Sequence, residues 1–255
     1  MRGQPIAAAI VGCLLALGAC GSGTVRVTAD PEVGDRARYR YEITATVSRS
    51  IEGSEPVTTD IATTLLADQE IVAVRRDVIE ADVGLRRDGG VERRATVLLD
   101  RSGAIRDIEL AGGFSSTTLG LSELTTALLP SATDLPPGEL APGERWSISD
   151  GSSSGVGRLV RLGVVDGAHV AVVDTSLSSP IDDEVAAGAS AATIAGVLRS
   201  DGTTSYDLDD GSVRRSVARS RGEMQVRIEP PAGVEAAPAL GTIRYDIRVR
   251  VTRLR

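Results

Sequence analysis

Gly151-Ser152-Ser153-Ser154-Gly155 fits the G-x-S-x-G pattern of serine hydrolases, and Asp166 and His169 follow it in the order Ser, Asp, His. That chemistry needs the serine on a sharp strand–turn–helix elbow. Here the serines lead into 156–165, an aliphatic run that reads as strand, and His169 comes just past a hairpin pair, Asp166-Gly167. The segment therefore reads as a flexible hairpin loop. A second group, Asp207, Asp209 and Asp210 with Asp201 nearby, has the composition of a cation site. It lacks the alternating acids and distant Glu of a calcium loop and reads as a strand turn. Asp182, Asp183 and Glu184 read as an exposed acidic turn.

The inventory removes other chemistry. All 28 basic residues are Arg, so there is no Lys for a Schiff base or a phosphate loop. One His excludes a paired-His zinc site. One Trp, one Phe and four Tyr supply no stacking platform for single-stranded nucleic acid or sugar, and a net charge of −7 lacks a basic footprint. The 35 acids include no pair singled out for glycoside hydrolysis. No catalytic residue, metal ligand, cofactor or nucleic-acid partner is assigned, and the chain reads as a non-enzyme.

One residue does carry chemistry. Arg2 and the apolar run 6–17 form an export leader too short to span a bilayer. Leu17-Gly18-Ala19-Cys20 then resembles a bacterial lipobox, which implies cleavage before Cys20 and acylation of its thiol. Residues 1–19 are the expected signal peptide. Removing Cys13 with the leader leaves no thiol free and no disulfide. Two or three acyl chains suffice for stable anchoring. Residues 20–33 read as the lipidated Cys and a tether, reaching about 40 Å at full stretch. The expected location is the cell membrane, lipid-anchored, on its extracytoplasmic face.

The elements beyond residue 34 follow a period of two. Ala37, Tyr39, Tyr41, Ile43, Ala45 and Val47 alternate with Arg36, Arg38, Arg40, Glu42, Thr44 and Thr46. Ile243, Tyr245, Ile247, Val249 and Val251 repeat the pattern near the C-terminus. Further strands are expected at 57–67, 71–85, 91–99, 104–110, 156–165, 169–177, 191–199, 203–208, 212–219 and 223–229. Hairpin turns are expected at Asp88-Gly89-Gly90, Ser102-Gly103, Asp166-Gly167, Asp201-Gly202 and Asp210-Gly211. The stretch 182–192 stays open among helix, loop and strand. Leu121, Leu124 and Leu128 at helical spacing, stopped by Pro130, predict one short amphipathic helix over 116–129.

The fold class expected is mainly β: a long curved antiparallel sheet, half-barrel or open barrel, with one or two short helices. Residues 34–255 form one β-rich domain. The Pro-rich connector 130–142 divides it into halves 34–130 and 143–255. Gly34-Asp35-Arg36 returns as Gly143-Glu144-Arg145, and Gly103-Ala104-Ile105-Arg106 as Gly211-Ser212-Val213-Arg214. Two matches at nearly one offset point to a duplicated strand module.

The lipobox, the Gly-Asp-x-x-x-Tyr strand, the Asp/Gly hairpins and the stretch 135–146 together resemble an uncharacterised group of actinobacterial lipoproteins. These are similar in outline to half-barrel envelope lipoproteins of the LolA and LppX type. The resemblance implies a curved sheet over helices, enclosing an apolar cavity for acyl chains. Leu121, Leu124 and Leu128 would then line the ligand, or else simply fill the core. Two readings follow: a membrane-anchored lipoprotein binding a lipid or other apolar ligand, or a non-catalytic envelope assembly domain that binds another protein.

Overall fold

Alternation along each strand fixes one apolar and one polar face, and eleven such strands join edge to edge. The computed structural model describes residues 23–87, 90–101, 105–110, 135–150, 152–187, 190–231 and 233–254. The strands are β1 (Arg36–Ile51), β2 (Val57–Val74), β3 (Ile79–Arg87), β4 (Arg93–Leu99), β5 (Ile105–Leu110), β6 (Arg145–Asp150), β7 (Ser153–Val165), β8 (Ala168–Ala187), β9 (Ser190–Asp207), β10 (Val213–Ile228) and β11 (Ala239–Leu254). They form one sheet in the order β5-β4-β3-β2-β1-β11-β10-β9-β8-β7-β6. There is no helix among the described residues; the helix expected over 116–129, with its three leucines, lies outside them, as does Cys20.

Every chain neighbour pairs with the next except β5 and β6, while the terminal strands β1 and β11 pair with each other. The two halves are therefore one continuous sheet. All ten pairings are antiparallel. Counting directions around the order leaves β5 and β6 running the same way. A hairpin cannot join two parallel strands, and a long return connection is required. The seam of this would-be barrel falls there.

A strap bridges the seam at one end. Val25 and Leu140 exchange backbone hydrogen bonds of 2.9 and 2.8 Å, and the Ala29 amide donates to the Arg101 carbonyl at 3.0 Å. Val27 is 5% exposed, buried against Leu135, Leu140 and Tyr206. Arg101 follows β4 and Leu140 precedes β6, and these two strands are nine spacings apart in the sheet. On a flat sheet that is about 43 Å. The four links from Val25 to Ala29 span at most about 14 Å. The sheet must therefore roll toward its apolar face until its edges come within reach of the strap.

This corrects the tether. Residues 20–33 were expected to be free chain, yet 25–30 are part of the fold, because alternate residues Val25, Val27 and Ala29 find apolar neighbours. A second correction concerns Asp201-Gly202, which is no turn. Asp201 pairs with Ser176 and Arg219, and Gly202 with Thr175 and Ala218, so β9 runs straight through. Pairing on both sides outweighs the local turn preference. Likewise 57–67 and 71–85 divide at 75–78, not at 68–70, and 182–192 is mostly strand.

The turns at Asp166-Gly167 and Asp210-Gly211 fall as expected. Asp166 and Gly167 have φ of 51° and 85°, the left-handed pair of a two-residue hairpin. The two halves also open on one shared device. Gly34 and Gly143 have φ of 96° and 93°. Asp35 and Glu144 each donate their amide to the carbonyl three residues back, of Glu32 and Ala141. Each carboxylate then accepts that same residue's amide, at 2.8 and 2.9 Å. The second echo is an aspartate gripping an arginine across a hairpin: Asp100–Arg106 at 2.8 Å and Asp207–Arg214 at 2.5 Å.

Arg101 also donates to the carbonyls of Arg75 and Arg76 and pairs with Asp30 at 3.2 Å, tying the strap to the β2–β3 turn. Arg101→Ala is expected to cost about 1–2 kcal/mol. Amide exchange at Val25 and Ala29 should accelerate more than exchange in β1 or β11; equal acceleration everywhere would refute the local role of the strap.

Candidate functional site

The apolar face of the rolled sheet is the candidate site. At the strap end it is filled. Val27, Leu135, Leu140, Leu159, Ala171, Val173 and Tyr206 form one buried cluster. Tyr39, Ile43, Ala45, Ala67, Ile247, Val249 and Val251 form a second, and Ile71, Ile79 and Ala81 a third. Trp146, on edge strand β6, lies half-buried against the first cluster and faces Gly157 of β7. A Cβ at Gly157 would sit 2.2 Å from the indole Cε2. Only glycine leaves that seat open, so Trp146 packs as an anchor at the sheet edge.

Farther along β9 and β10 the same face becomes small and hydroxylic. Thr204 and Ser216 lie opposite each other with their hydroxyls 2.9 Å apart, and Ser200 and Ser220 repeat this at 2.7 Å. Thr204, Ser216 and Ser220 are buried. Pairing satisfies each hydroxyl locally, which removes the cost of burying it.

Beyond this belt the face turns aliphatic again. The register sets Val47 beside Thr59 and Tyr245, Ile243 beside Met224, and Val226 beside Ile194. Met224 and Val226 are buried, but Ile51, Val57 and Ile61 remain 37%, 44% and 39% exposed. The distal part of the trough thus offers aliphatic surface to solvent.

Beneath the strap lies an ionic network. The Asp207 carboxylate is 1% exposed and accepts from Arg214 Nε at 2.6 Å and from the Asp209 amide at 2.9 Å. Asp210 accepts from the Ser212 amide at 2.8 Å and from Arg253 Nη1 at 2.7 Å. Burial pushes the Asp210 carboxyl up. Hydrogen bonds from Ser212 and Arg253 outweigh it and hold the group below the usual carboxylate range. Each of the two acids already has its guanidinium, so the turn is a structural clasp. No metal-binding cluster of His, Cys, Asp and Glu occurs among the described residues.

The hydrolase-like residues are kept apart. Ser153 opens β7 and bonds Ser179, while His169 pairs with Val164 near the strand's other end. Eleven residues of strand separate them, about 36 Å. The serine sits on a strand–turn–strand hairpin with no elbow.

The opposite face is charged. Arg36–Glu70, Arg38–Asp68, Arg250–Glu42 and Arg244–Glu223 pair directly across neighbouring strands. Arginine at a bilayer midplane costs about 2–4 kcal/mol in a membrane barrel, so this outer surface is built for water. A groove of about 720 Å³ lined by Arg36, Arg38, Asp68, Glu70, Glu92 and Arg94 is correspondingly polar. Within it Arg36–Glu70, Arg38–Asp68 and Arg94–Glu92 pair, and Asp82, Arg214 and Arg253 also line it.

No protein-family model matches the chain, and no curated protein does. Among solved structures it is similar to the loop L8 deletion mutant of OmpT, an outer membrane protein of Vibrio cholerae, at 8% identity over 88% of this chain and 100% of that one, with a TM-score of 0.20. In-vitro folded OmpT of Vibrio cholerae, in its trimer form, gives the same values. The COG4313 outer membrane channel from Pseudomonas putida F1 is 11% identical over 88% and 97%, with a TM-score of 0.18. At such scores the likeness carries no argument about family or activity.

Two measurements test this description. Gly157→Val should displace the indole, shift its emission to the red and cost about 1–3 kcal/mol; unchanged emission would refute the seat. Burial also pushes the phenols of Tyr39 and Tyr41 above their ordinary value of 10.0. In the unfolded chain they ionise near pH 10, so the stability they carry is complete below that pH. It is lost as pH rises from there through the higher folded values. In an alkaline titration, Tyr39 and Tyr41 should ionise only as the β signal in circular dichroism collapses. Ionisation of all four before any loss of sheet would refute the burial.

Proposed function

We propose that the chain is exported, lipidated at Cys20 and held at a membrane of the cell envelope, where its rolled sheet carries an apolar ligand, an acyl chain. One observation carries this reading. Ile51, Val57 and Ile61 stay solvent-reachable on the apolar face of a sheet whose other face is an ion-pair ladder. Acyl chains are bound by area and need no polar recognition. The hydroxyl pairs Thr204–Ser216 and Ser200–Ser220 bond each other, and in the distal patch exposed Arg49, opposite Val57, supplies a cation beside the aliphatic area. The resemblance to half-barrel lipoproteins supports the same reading, and Leu121, Leu124 and Leu128 would be the ligand's further lining.

The second reading, an envelope assembly domain that binds another protein, is favoured by the filled strap end and by the polar character of the 720 Å³ groove. A binding experiment separates the two. Protein extracted from membranes and stripped of lipid is titrated with a fluorescent polyene fatty acid, and the rise in the probe's own emission on entering an apolar site reports occupancy. Saturable binding near one per chain is expected. Val57→Arg with Ile61→Arg, both at exposed positions, should weaken it about tenfold or more, equivalent to about 1.4 kcal/mol. Absence of a saturable emission rise with the unsubstituted protein would overturn the carrier reading.

A further inference from the structure

The docked strap changes what a lipid on Cys20 does. A free tether over 20–33 would let the domain tumble within about 40 Å of the bilayer. In the fold, Val25 is already fixed to Leu140 by two backbone hydrogen bonds, and Val27 is buried two residues later. Only five links separate Cys20 from Val25, about 17 Å when fully extended. The strap lies across one end of the rolled sheet. The turns at that end include 75–78, 166–167 and 208–212, and the starts of β1 and β6 join them. The opposite end, with the turns 52–56 and 229–238, is separated from it by the length of β1, about 50 Å along the strand.

We propose that the strap end of the sheet faces the membrane that holds the lipid on Cys20, and that the distal, aliphatic end of the trough points away from it. This rests on the anchoring reading above. The partner is the lipid surface itself, and the orienting element is the strap. The strap end carries both signs, Arg26, Arg75 and Arg76 beside Glu32, Asp77 and Glu139. Orientation is therefore set by tether length and not by attraction to anionic headgroups. An acyl ligand would enter and leave at the end remote from the anchor's own bilayer, which suits exchange with a soluble carrier or another membrane.

Full-length protein, processed in cells and returned to phosphatidylcholine–phosphatidylglycerol vesicles, tests this. A fluorophore is placed on Val33→Cys, exposed at the strap end, or on Ser54→Cys, exposed in the distal turn 52–56. With Cys13 removed and Cys20 acylated, each variant has one thiol. A nitroxide on the lipid headgroups should quench the first label several-fold more than the second. About twenty Gly/Ser residues inserted between Ser22 and Gly23, with a mean reach of about 25 Å, should abolish the difference. Equal quenching without the insertion, or stronger quenching at Ser54→Cys, overturns the orientation alone. Protein that fails to float with the vesicles, or a Cys20→Ala variant that floats as well as the parent, overturns the anchor and the orientation with it.

Discussion

The strap across the seam is the contact on which the rest of the architecture depends. An antiparallel meander whose first and last strands pair, yet which breaks between β5 and β6, leaves those two strands parallel. They cannot close by a hairpin. What brings the edges together is a short segment before β1, held by Val25 to Leu140 and by Ala29 and Asp30 to Arg101. Its length is smaller than the width of the flat sheet by about threefold, from about 43 to about 14 Å. Rolling follows from that mismatch. So does the concentration of buried residues at the strap end, since only there do strap, connector and sheet meet in one layer.

The rolled sheet separates its chemistries cleanly. Side chains of one parity meet in three apolar clusters and a belt of paired hydroxyls. Those of the other parity form a cross-strand ladder of Arg with Asp and Glu. Exposed pairs of this kind contribute little stability each, typically below about 1 kcal/mol. Their effect is on solubility and on which face can contact lipid. With six aromatics in the chain, the interior relies on aliphatic and small residues, which makes a trough suited to chains rather than to rings. Buried Asp207 and half-buried Asp210 are each answered by an arginine, Arg214 of β10 and Arg253 of β11, so the charge beneath the strap is structural.

The halves repeat a turn and a clasp. Gly34-Asp35 and Gly143-Glu144 open β1 and β6 with the same positive φ and the same reciprocal hydrogen bonds. Asp100–Arg106 and Asp207–Arg214 fasten equivalent hairpins. The strand order has the same symmetry, since β5 to β1 and β10 to β6 run across the sheet in the same succession, with β11 between them.

The strands were legible because alternation is a local property: Tyr39, Ile43 and Ala45, or Val249 and Val251, declare their face whatever their partner. The turns at Asp166-Gly167 and Asp210-Gly211 were legible for the same reason, since positive φ is demanded on the spot. Asp201-Gly202 misled because its turn chemistry is local and the ladder that overrides it is not; Ser176 and Arg219 lie far away in the chain. The docking of 25–30 was hidden in the same way. Three alternating small apolar residues look like tether until Leu140, Tyr206 and Arg101 are brought beside them. The β class was determined by the sequence itself, while the leader and the Cys20 motif are expectations of the sequence on which the proposed anchoring rests. The tertiary structure alone decided that there is one sheet, that its seam lies between β5 and β6, and that a segment starting five residues beyond the expected lipid site closes it. Those facts depend on strand direction and on distances between remote residues, which no local pattern encodes.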